Sequence, residues 1–412
     1  MFKKLLTEDW LSTMAGLVIM IVAISMFVIG GDMSAMPSLP KTLSSTADWA
    51  NFSLILGALL VITYIAMVLM QRTTRYLFIS LTIIVLLAVA ANYLSSHPVI
   101  KSATGLEIVF FAVALGLLIS NTIGVPEWMR SAIHSEFFVK IGLVLMGTTI
   151  IFSEIVTAGA LGMIQALIVI LSVWGFAFWT ARRLKVDREM SVMLASAVSI
   201  CGVSAAIAAA GAIKGDNKKL SYVISLVLVC AIPMMYFMPY LVQWMGLSPE
   251  VAGAWLGGTI DTTGAVVAAG SAVGEVGEKY SVIVKSSQNV LLGFAALFIS
   301  IYWTYKGKKR REKVTLGVLW ERFPKFVLGF LVASLIFSLM DVDTAKSISK
   351  STKSIQNTLF AIAFVCIGLE TRFKDIFNNK FRNALKAFLI AQFFNIIVTL
   401  VVSFILFSGL LF

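Results

Sequence analysis

Long apolar runs recur along the whole chain and limit what it can fold into more than any other feature. About thirteen such segments can be placed, each long enough for, or close to, the roughly 20 residues that a helix needs to cross a bilayer. The short alternating strands of an outer-membrane barrel are absent from the pattern. The sequence therefore predicts an all-α polytopic membrane protein with about 11–13 membrane segments.

Composition and charge agree with this fold class. Of the 412 residues, 59% are hydrophobic and 13% charged, against about 25% charged in a soluble domain. The net charge of +12 comes from basic residues in short loops, notably 306–313. Such loop cations orient a membrane protein and do not indicate nucleic acid as a partner. They predict a cytoplasmic N-terminus and a C-terminus on the outside, with the lipid bilayer as the surrounding partner.

The first apolar run, residues 11–30, is longer than the apolar core of a secretory signal and precedes no clear cleavage site, so we expect a retained first helix. The three cysteines, Cys201, Cys230 and Cys366, have no redox or metal-ligand spacing. The sequence predicts neither a disulfide framework, nor a metal site, nor an organic cofactor.

One loop disturbs a simple alternating topology. The basic stretch 213–220 falls outside if segment 191–213 spans the membrane, yet its lysines favour the inside. If segments 191–213 and 249–273 both enter and leave by one face, the basic loop returns inside and the acidic loop 274–279 stays outside. Eleven crossings with two re-entrant hairpins and thirteen crossings both remain open.

These two segments also resemble each other and predict an inverted repeat. `SAAIAAAGA` at 204–212 aligns without gaps with `TGAVVAAGS` at 263–271, and a second echo joins 144–155 with 365–376. Inverted repeats are typical of secondary transporters.

Helix breaks are expected at `SICGVSAAIAAAG` (199–211) and `GGTIDTTGAVVAAG` (257–270), where glycines and hydroxyls stand in mid-segment. In a bilayer, non-helical backbone is tolerated only inside protein or beside a watery cavity. Helices that restart after Gly202 or Thr263 would direct free backbone N–H groups at an anion. The alternative is continuous helices that pack closely through small residues. The predicted substrate contacts in these stretches are Ser199, Cys201, Gly202, Ser204, Thr263 and Gly264.

Asp261 is the carboxylate least expected in these surroundings, since a charge at the bilayer centre costs at least ~2.5 kcal/mol. We expect it to hold a coupling ion, Na⁺ or H⁺, together with Thr262 and Thr263. Lys285, Gln288 and Asn289 share one helical face and are predicted to line the same cavity and contact the substrate. A buried Asp261–Lys285 ion pair that joins two segments remains the alternative.

Other polar residues carry weaker signals. Gln392, Asn395 and Thr399 form a stripe typical of an interhelical hydrogen-bond seam. Glu370 and Lys140 lie near segment ends, where long charged side chains usually reach for the interface. His97 and His134 lie in loops and receive no role.

A resemblance follows from `FAVALGLLISNT`, `FVKIGLVLMGTTI`, `RRLKVDREMSVMLASAVSICGVSAAIAA`, `GTIDTTGAVVAAG` and `IVKSSQNVLLG`, in that order. Over about residues 80–412 the chain resembles the YeiH-type putative sulfate exporters of bacterial inner membranes. The resemblance implies transport of a small sulfur oxyanion or related anion. Residues 1–75 look like two added transmembrane helices before a transporter core at 76–412.

The chain also departs from that family. It reads `DTTG` where the family usually has a histidine-containing stretch, and `VKSSQN` where the family commonly has an arginine. These changes make the expected pocket less cationic. More distantly, `CGVSAAIAAAGAIKGDNKKLSYVISLV` is similar to the crossing-helix region of bile acid sodium symporters, which implies a core bundle that carries the site against a scaffold.

The sequence thus predicts a secondary active transporter of the bacterial cytoplasmic membrane that moves a sulfate-, sulfite- or sulfonate-like anion by alternating access, coupled to H⁺ or Na⁺. A homodimer stays open. The alternatives are a cation/proton antiporter that uses Asp261 and Lys285, or a membrane-embedded sensor or enzyme. No metalloprotease or Walker motif supports an enzyme or an ATP-driven pump.

Overall fold

A computed structural model describes residues 7–30, 37–100, 108–213, 215–306, 320, 323–376 and 382–409. Across these residues the secondary structure is helical, with sixteen α-helices, and no strand occurs among them. The predicted orienting cluster at 306–313 falls almost wholly outside the described residues, as do Lys214 and Lys380. The chain divides into two compact units, one of Met1–Glu154 with Lys325–Arg372, the other of Ile155–Pro324 with Phe373–Phe412.

The first unit contains α1 to α5, the first residues of α6, and two later helices, α14 and α15. Their bounds are α1 Glu8–Val28, α2 Thr46–Leu69, α3 Leu77–Ser96, α4 Ile108–Thr122, α5 Ser135–Met146, α14 Lys325–Leu339 and α15 Val342–Glu370. A 3-10 helix, Glu127–Ala132, lies between α4 and α5.

The second unit contains the remaining helices. Their bounds are α6 Phe152–Arg183, α7 Arg188–Ser199, α8 Val203–Ile213, α9 Asn217–Met245, α10 Pro249–Thr259, α11 Thr263–Ser271, α12 Glu275–Val290, α13 Leu292–Lys306 and α16 Arg382–Phe407.

Eight described helical segments are long and apolar enough to cross a membrane. They are α1, α2, α3, α6, α9 from Lys218, Glu275–Ile299 within α12 and α13, α15 and α16. Three further apolar helices, α4, α8 and α14, are shorter. The prediction of an all-α polytopic membrane protein is confirmed.

The two predicted helix breaks are also confirmed. Segment 191–213 is divided into α7 and α8 by Ile200–Gly202, and segment 249–273 into α10 and α11 by Ile260–Thr262. Whether these pairs span the membrane or re-enter it, and whether they are inverted repeats, stay predictions.

In the first unit, α1 packs against α5, α14 and α15. α4 and α15 approach each other closely, since a Cβ on Gly116 would come 2.5 Å from the Val365 carbonyl oxygen. Small residues at this crossing let the two backbones meet.

Two charged side chains near segment ends of this unit have close polar partners. Glu370 accepts hydrogen bonds from the Ser135 backbone N–H (3.2 Å) and hydroxyl (2.6 Å). The Lys140 ammonium lies 2.7 Å from Asp9 and 3.4 Å from Glu136. Whether Glu370 and Lys140 also reach the membrane interface stays a prediction.

Candidate functional site

The first helix break is shaped by Gly202. Its φ of +57° lies in the left-handed region, where a side chain is strained, and a Cβ there would come 2.6 Å from the Val227 side chain. The Gly202 N–H bonds back to the Ala197 carbonyl oxygen (3.0 Å), which closes the end of α7. The next helix then begins at Val203, so glycine both ends one helix and allows the other to start.

The second break is shaped by a hydroxyl cap. α10 ends at Thr259, and the Thr262 hydroxyl oxygen accepts a hydrogen bond from the Ala265 N–H (3.3 Å) at the start of α11. Threonine in this position satisfies one of the N–H groups that a helix start leaves without an intrahelical partner. Thr262, predicted as a coupling-ion ligand, therefore also caps α11.

Close packing of α10 on α12 determines the position of Lys285 at the site. A Cβ on Gly253 would come 2.5 Å from the Gly277 carbonyl oxygen, and one on Gly257 would clash with the Ser281 carbonyl. Two glycines four residues apart on α10 thus let the backbones touch. Lys285, one turn beyond Ser281 on α12, is thereby brought to the second break.

The Lys285 ammonium joins the two breaks. It donates to the carbonyl oxygens of Ile200 (2.7 Å) and Ile260 (2.8 Å), one from each break, and to Gln288 Oε1 (2.9 Å). The side chain is 1% exposed. A lysine ammonium has three N–H donors, so an anion can bind it directly only by replacing one of these acceptors.

Amide side chains bind the remaining carbonyls at the ends of α7 and α10. Gln288 donates to the Ser199 (2.9 Å) and Gly258 (3.3 Å) carbonyl oxygens. From α16, Asn395 donates to Val198 (3.2 Å) and Thr259 (3.1 Å), and Gln392 also donates to Thr259 (3.0 Å). Helix C-terminal carbonyls carry partial negative charge and need such donors when buried. Three donor side chains and one lysine therefore hold both breaks open inside the protein.

Asp261 lies in the second break and is 1% exposed. Neither carboxylate oxygen has a hydrogen-bond partner, so the Lys285 ammonium does not donate to Asp261. Its backbone and Cβ lie against Gly202, within 3.1 and 3.2 Å of the position a Cβ would take there. The aspartate therefore contacts the first break from the second, with its charged group unsatisfied.

The other predicted contact residues lie at the same two breaks. The Ser199 hydroxyl donates to Ala195 of its own helix (2.8 Å). The Thr263 hydroxyl accepts from Asn289 Nδ2 at 3.4 Å. Cys201 and Gly264 are buried, and Ser204 is half-buried at the start of α8. Whether they bind a solute stays a prediction.

Unsatisfied oxygens concentrate around this site. Of the eleven buried side-chain nitrogen and oxygen atoms without a hydrogen bond in the described residues, five are oxygens of Thr259, Asp261, Asn289 and Gln392. Buried polar atoms in folded proteins are nearly always paired, so such a concentration calls for an explanation. Unpaired oxygen atoms of this kind are suitable ligands for a proton or a small hard cation.

Some polar residues that hold the site carry only a weak signal in the sequence. Gln392 and Asn395 form interhelical hydrogen bonds, as their stripe predicted, and the acceptors are carbonyl oxygens at the ends of α7 and α10. Gln165 was missed, although it donates to the Ala254 carbonyl oxygen of α10 (2.8 Å) and accepts from the Ser403 hydroxyl (3.2 Å). Its only signal is a single amide within the apolar run of α6.

The model of a protein family described as "Conserved hypothetical protein 698" matches residues 79–387 of this chain. The chain belongs to this family. The YeiH-type resemblance is confirmed at the family level, and the similarity to bile acid sodium symporters stays a prediction.

Curated relatives are named UPF0324 membrane proteins. One from Rhodopirellula baltica is 37% identical over 79% of this chain and 62% of its own length. One from Nitratidesulfovibrio vulgaris is 34% identical over 72% of this chain and 54% of its own. One from Clostridium tetani is 24% identical over 72% of this chain and 87% of its own. The chain thus spans little more than half the length of the first two relatives. No solved structure matches it.

Proposed function

We propose that this membrane protein is a secondary active transporter that moves a small anion, sulfate-, sulfite- or sulfonate-like, across the bacterial cytoplasmic membrane. Transport is coupled to H⁺ or Na⁺ and proceeds by alternating access. The N-terminus is cytoplasmic, and the chain performs no catalysis. The observation that carries this proposal is the buried meeting point of two helix breaks at Lys285, with an unsatisfied carboxylate beside it.

The two ends of each broken helix offer different chemistry. The C-terminal carbonyls of α7 and α10 are occupied by Lys285 and three amides. The N-termini of α8 and α11 direct N–H groups and a positive dipole end into the breaks. An anion is therefore received at the N-termini, near Ser204, Thr263 and Gly264, while Lys285 supplies positive charge from behind the carbonyls.

Asp261 supplies the coupling. A buried carboxylate without a partner is costly when ionised, so it favours taking up a proton or a cation. Neutralising Asp261 removes a negative charge that would repel an anion at the same breaks. Because Asp261 contacts Gly202, a charge on Asp261 lies close to both breaks. Anion and coupling ion then bind together.

A cation/proton antiporter is the second candidate, and the unsatisfied oxygens favour it. The unpaired side-chain atoms at the site are oxygens, which are suitable ligands for a cation. They belong to Asp261, Asn289, Thr259 and Gln392. In that mechanism, no anion binds and Lys285 acts only as a cap.

The test is flux into proteoliposomes of sulfate, sulfite and a small sulfonate, with and without a Na⁺ or pH gradient. Asp261→Asn keeps the shape of the side chain and removes its charge, so we expect loss of ion dependence and a fall in coupled flux of roughly tenfold or more. Lys285→Gln is expected to lower both flux and the unfolding temperature, because a glutamine cannot reach both break carbonyls. The matched control for Asp261→Asn is Glu250→Gln, which also replaces a carboxylate by an amide, at the start of α10.

Anion flux that is equal in wild type and Asp261→Asn would contradict the coupling role. Cation or proton exchange that is independent of every anion, and lost in Asp261→Asn, would favour the antiporter. Thermal stabilisation by each anion, measured on the same variants, separates lost binding from lost movement.

A further inference from the structure

A cavity of about 630 Å³ lies in the first unit, which does not contain the breaks. It is formed by the loop between α2 and α3, the 3-10 helix Glu127–Ala132, and His134 at the start of α5. Three arginines line it, Arg72, Arg75 and Arg130, against a single carboxylate, Glu127. The cavity is therefore cationic.

The walls of the cavity are held in place by specific contacts. Arg75 lies over the Tyr76 ring at 5.2 Å, and that ring meets Trp128 edge-on at 6.4 Å. The 3-10 helix is tied to α3 because the Ser80 hydroxyl donates to the Trp128 carbonyl oxygen (3.2 Å). These contacts keep the Arg75 side chain and two aromatic rings around one space.

Arg72 and His134 form the inner wall. Arg72 Nη1 lies 3.1 Å from His134 Nδ1, and Nη2 lies 3.4 Å from Glu8 Oε2. Burial, and then the charge of Arg72, lower the pKa of His134 to about 4. The ring is neutral at pH 7, and since arginine is always a donor, Nδ1 accepts and the proton is assigned to Nε2.

The guanidinium donors match an oxyanion such as a phosphate better than a halide. Guanidinium groups bind phosphate oxygens in a planar, bidentate manner, and Ser131 adds a hydroxyl to the lining. The volume exceeds that of a bare phosphate and admits an ester substituent. The cavity also adjoins the ends of α2 and α3, which are both able to cross a membrane, and the ends of spanning helices meet the headgroups and the tyrosine or tryptophan belts.

We propose that this cavity is a binding site for a phosphate ester, either the headgroup of an anionic phospholipid or a soluble organic phosphate. Arg75 and Arg130 provide the binding charges, and Arg72, fixed by Glu8 and His134, completes the cationic wall. This site is separate from the transport proposal and does not depend on it.

The test uses the full chain purified in detergent. Native mass spectrometry counts retained phosphatidylglycerol against phosphatidylcholine, and thermal shift measures stabilisation by glycerol 3-phosphate and by inorganic phosphate. The variant is Arg75→Gln with Arg130→Gln. The matched control, Lys346→Gln with Lys350→Gln, removes two positive charges from exposed positions of the same unit.

We expect the arginine variant to weaken phosphate-ester binding by roughly ten- to thirtyfold and the lysine control to change it by less than about threefold. Preference for phosphatidylglycerol identifies the lipid as the source, and stabilisation by glycerol 3-phosphate alone identifies a soluble ligand. Equal effects of the two double variants, or no binding of either ester to the wild type, would overturn the proposal. If the double variant fails to fold, Arg130→Gln alone is compared with Lys350→Gln by the same criteria.

Discussion

At the scale of single residues, the site is defined by a contrast between its two charged groups. Lys285 is held by two break carbonyls and Gln288, whereas both oxygens of Asp261 lack a hydrogen bond. A buried ion pair between them would have satisfied both charges and left little to change during a transport cycle. In their actual arrangement the lysine stabilises the fold of the breaks, and the aspartate is available for an ion.

His134 yields a prediction about stability and pH. Its pKa in the folded protein is about 4, against an ordinary value of 6.5, because burial and Arg72 disfavour the charged ring. Between these two values the unfolded chain binds a proton that the folded protein does not, so stability must fall as pH decreases from about 6.5 toward 4. The wild type should unfold at a lower temperature at pH 5 than at pH 7.

The measurement compares this shift with that of His134→Asn, which can still accept from Arg72 but does not titrate. We expect a smaller decrease in the variant. His97→Asn, at the other histidine of the chain, keeps His134 and should keep the wild-type response. An unchanged pH response in His134→Asn would show that other groups dominate this range.

At the scale of helices, two glycines on α10 decide where Lys285 stands. Gly253 and Gly257 allow the backbone of α10 to touch that of α12, and Lys285 follows one turn later. The breaks therefore depend on close packing: the helices are broken, as predicted, and the small residues of α10 also pack tightly against α12.

Gly257→Ala is expected to destabilise the protein by about 1–3 kcal/mol, because its methyl group would overlap the Ser281 carbonyl and push α10 from α12. The displacement should also weaken the Lys285 contact with Ile260 and reduce flux. Gly175→Ala is the control, since open space surrounds that position on α6. Thermal unfolding and flux of the two variants check the prediction, and equal behaviour would argue against the packing account.

At the scale of the whole molecule, the mechanism depends on whether the two broken helix pairs span the membrane or re-enter it. The broken pairs α7–α8 and α10–α11 are each joined by an irregular turn of three residues, which fits either a spanning or a re-entrant path. The charge pattern places the loop before α9 inside only if the pairs re-enter.

Single-cysteine labelling distinguishes these paths. Cys201, Cys230 and Cys366 are free thiols and would first be replaced by alanine. Lys218→Cys, in the first turn of α9 within the basic stretch 213–220, and Val276→Cys, in the first turn of α12 within the acidic stretch 274–279, are then exposed to an impermeant thiol reagent in intact cells. The re-entrant arrangement predicts labelling of position 276 alone, and labelling of position 218 from outside would exclude it.

The sequence by itself determined the membrane-protein class, the places of most helices and both helix breaks. These follow from local chemistry, because apolar length, glycine and threonine act on the backbone beside them. The sequence also predicted that one cavity is lined by Asp261, Lys285, Gln288 and Asn289.

Only the tertiary structure decided how those residues are used. Two of the three acceptors of Lys285 are backbone carbonyls about 25 and 85 residues away, and the caps from Asn395 and Gln392 come from the last helix. Backbone carbonyls carry no sequence signature, so no pattern could identify them as the partners of a lysine. The unsatisfied state of Asp261 likewise depends on packing between distant helices, and it is the feature from which the transport proposal starts.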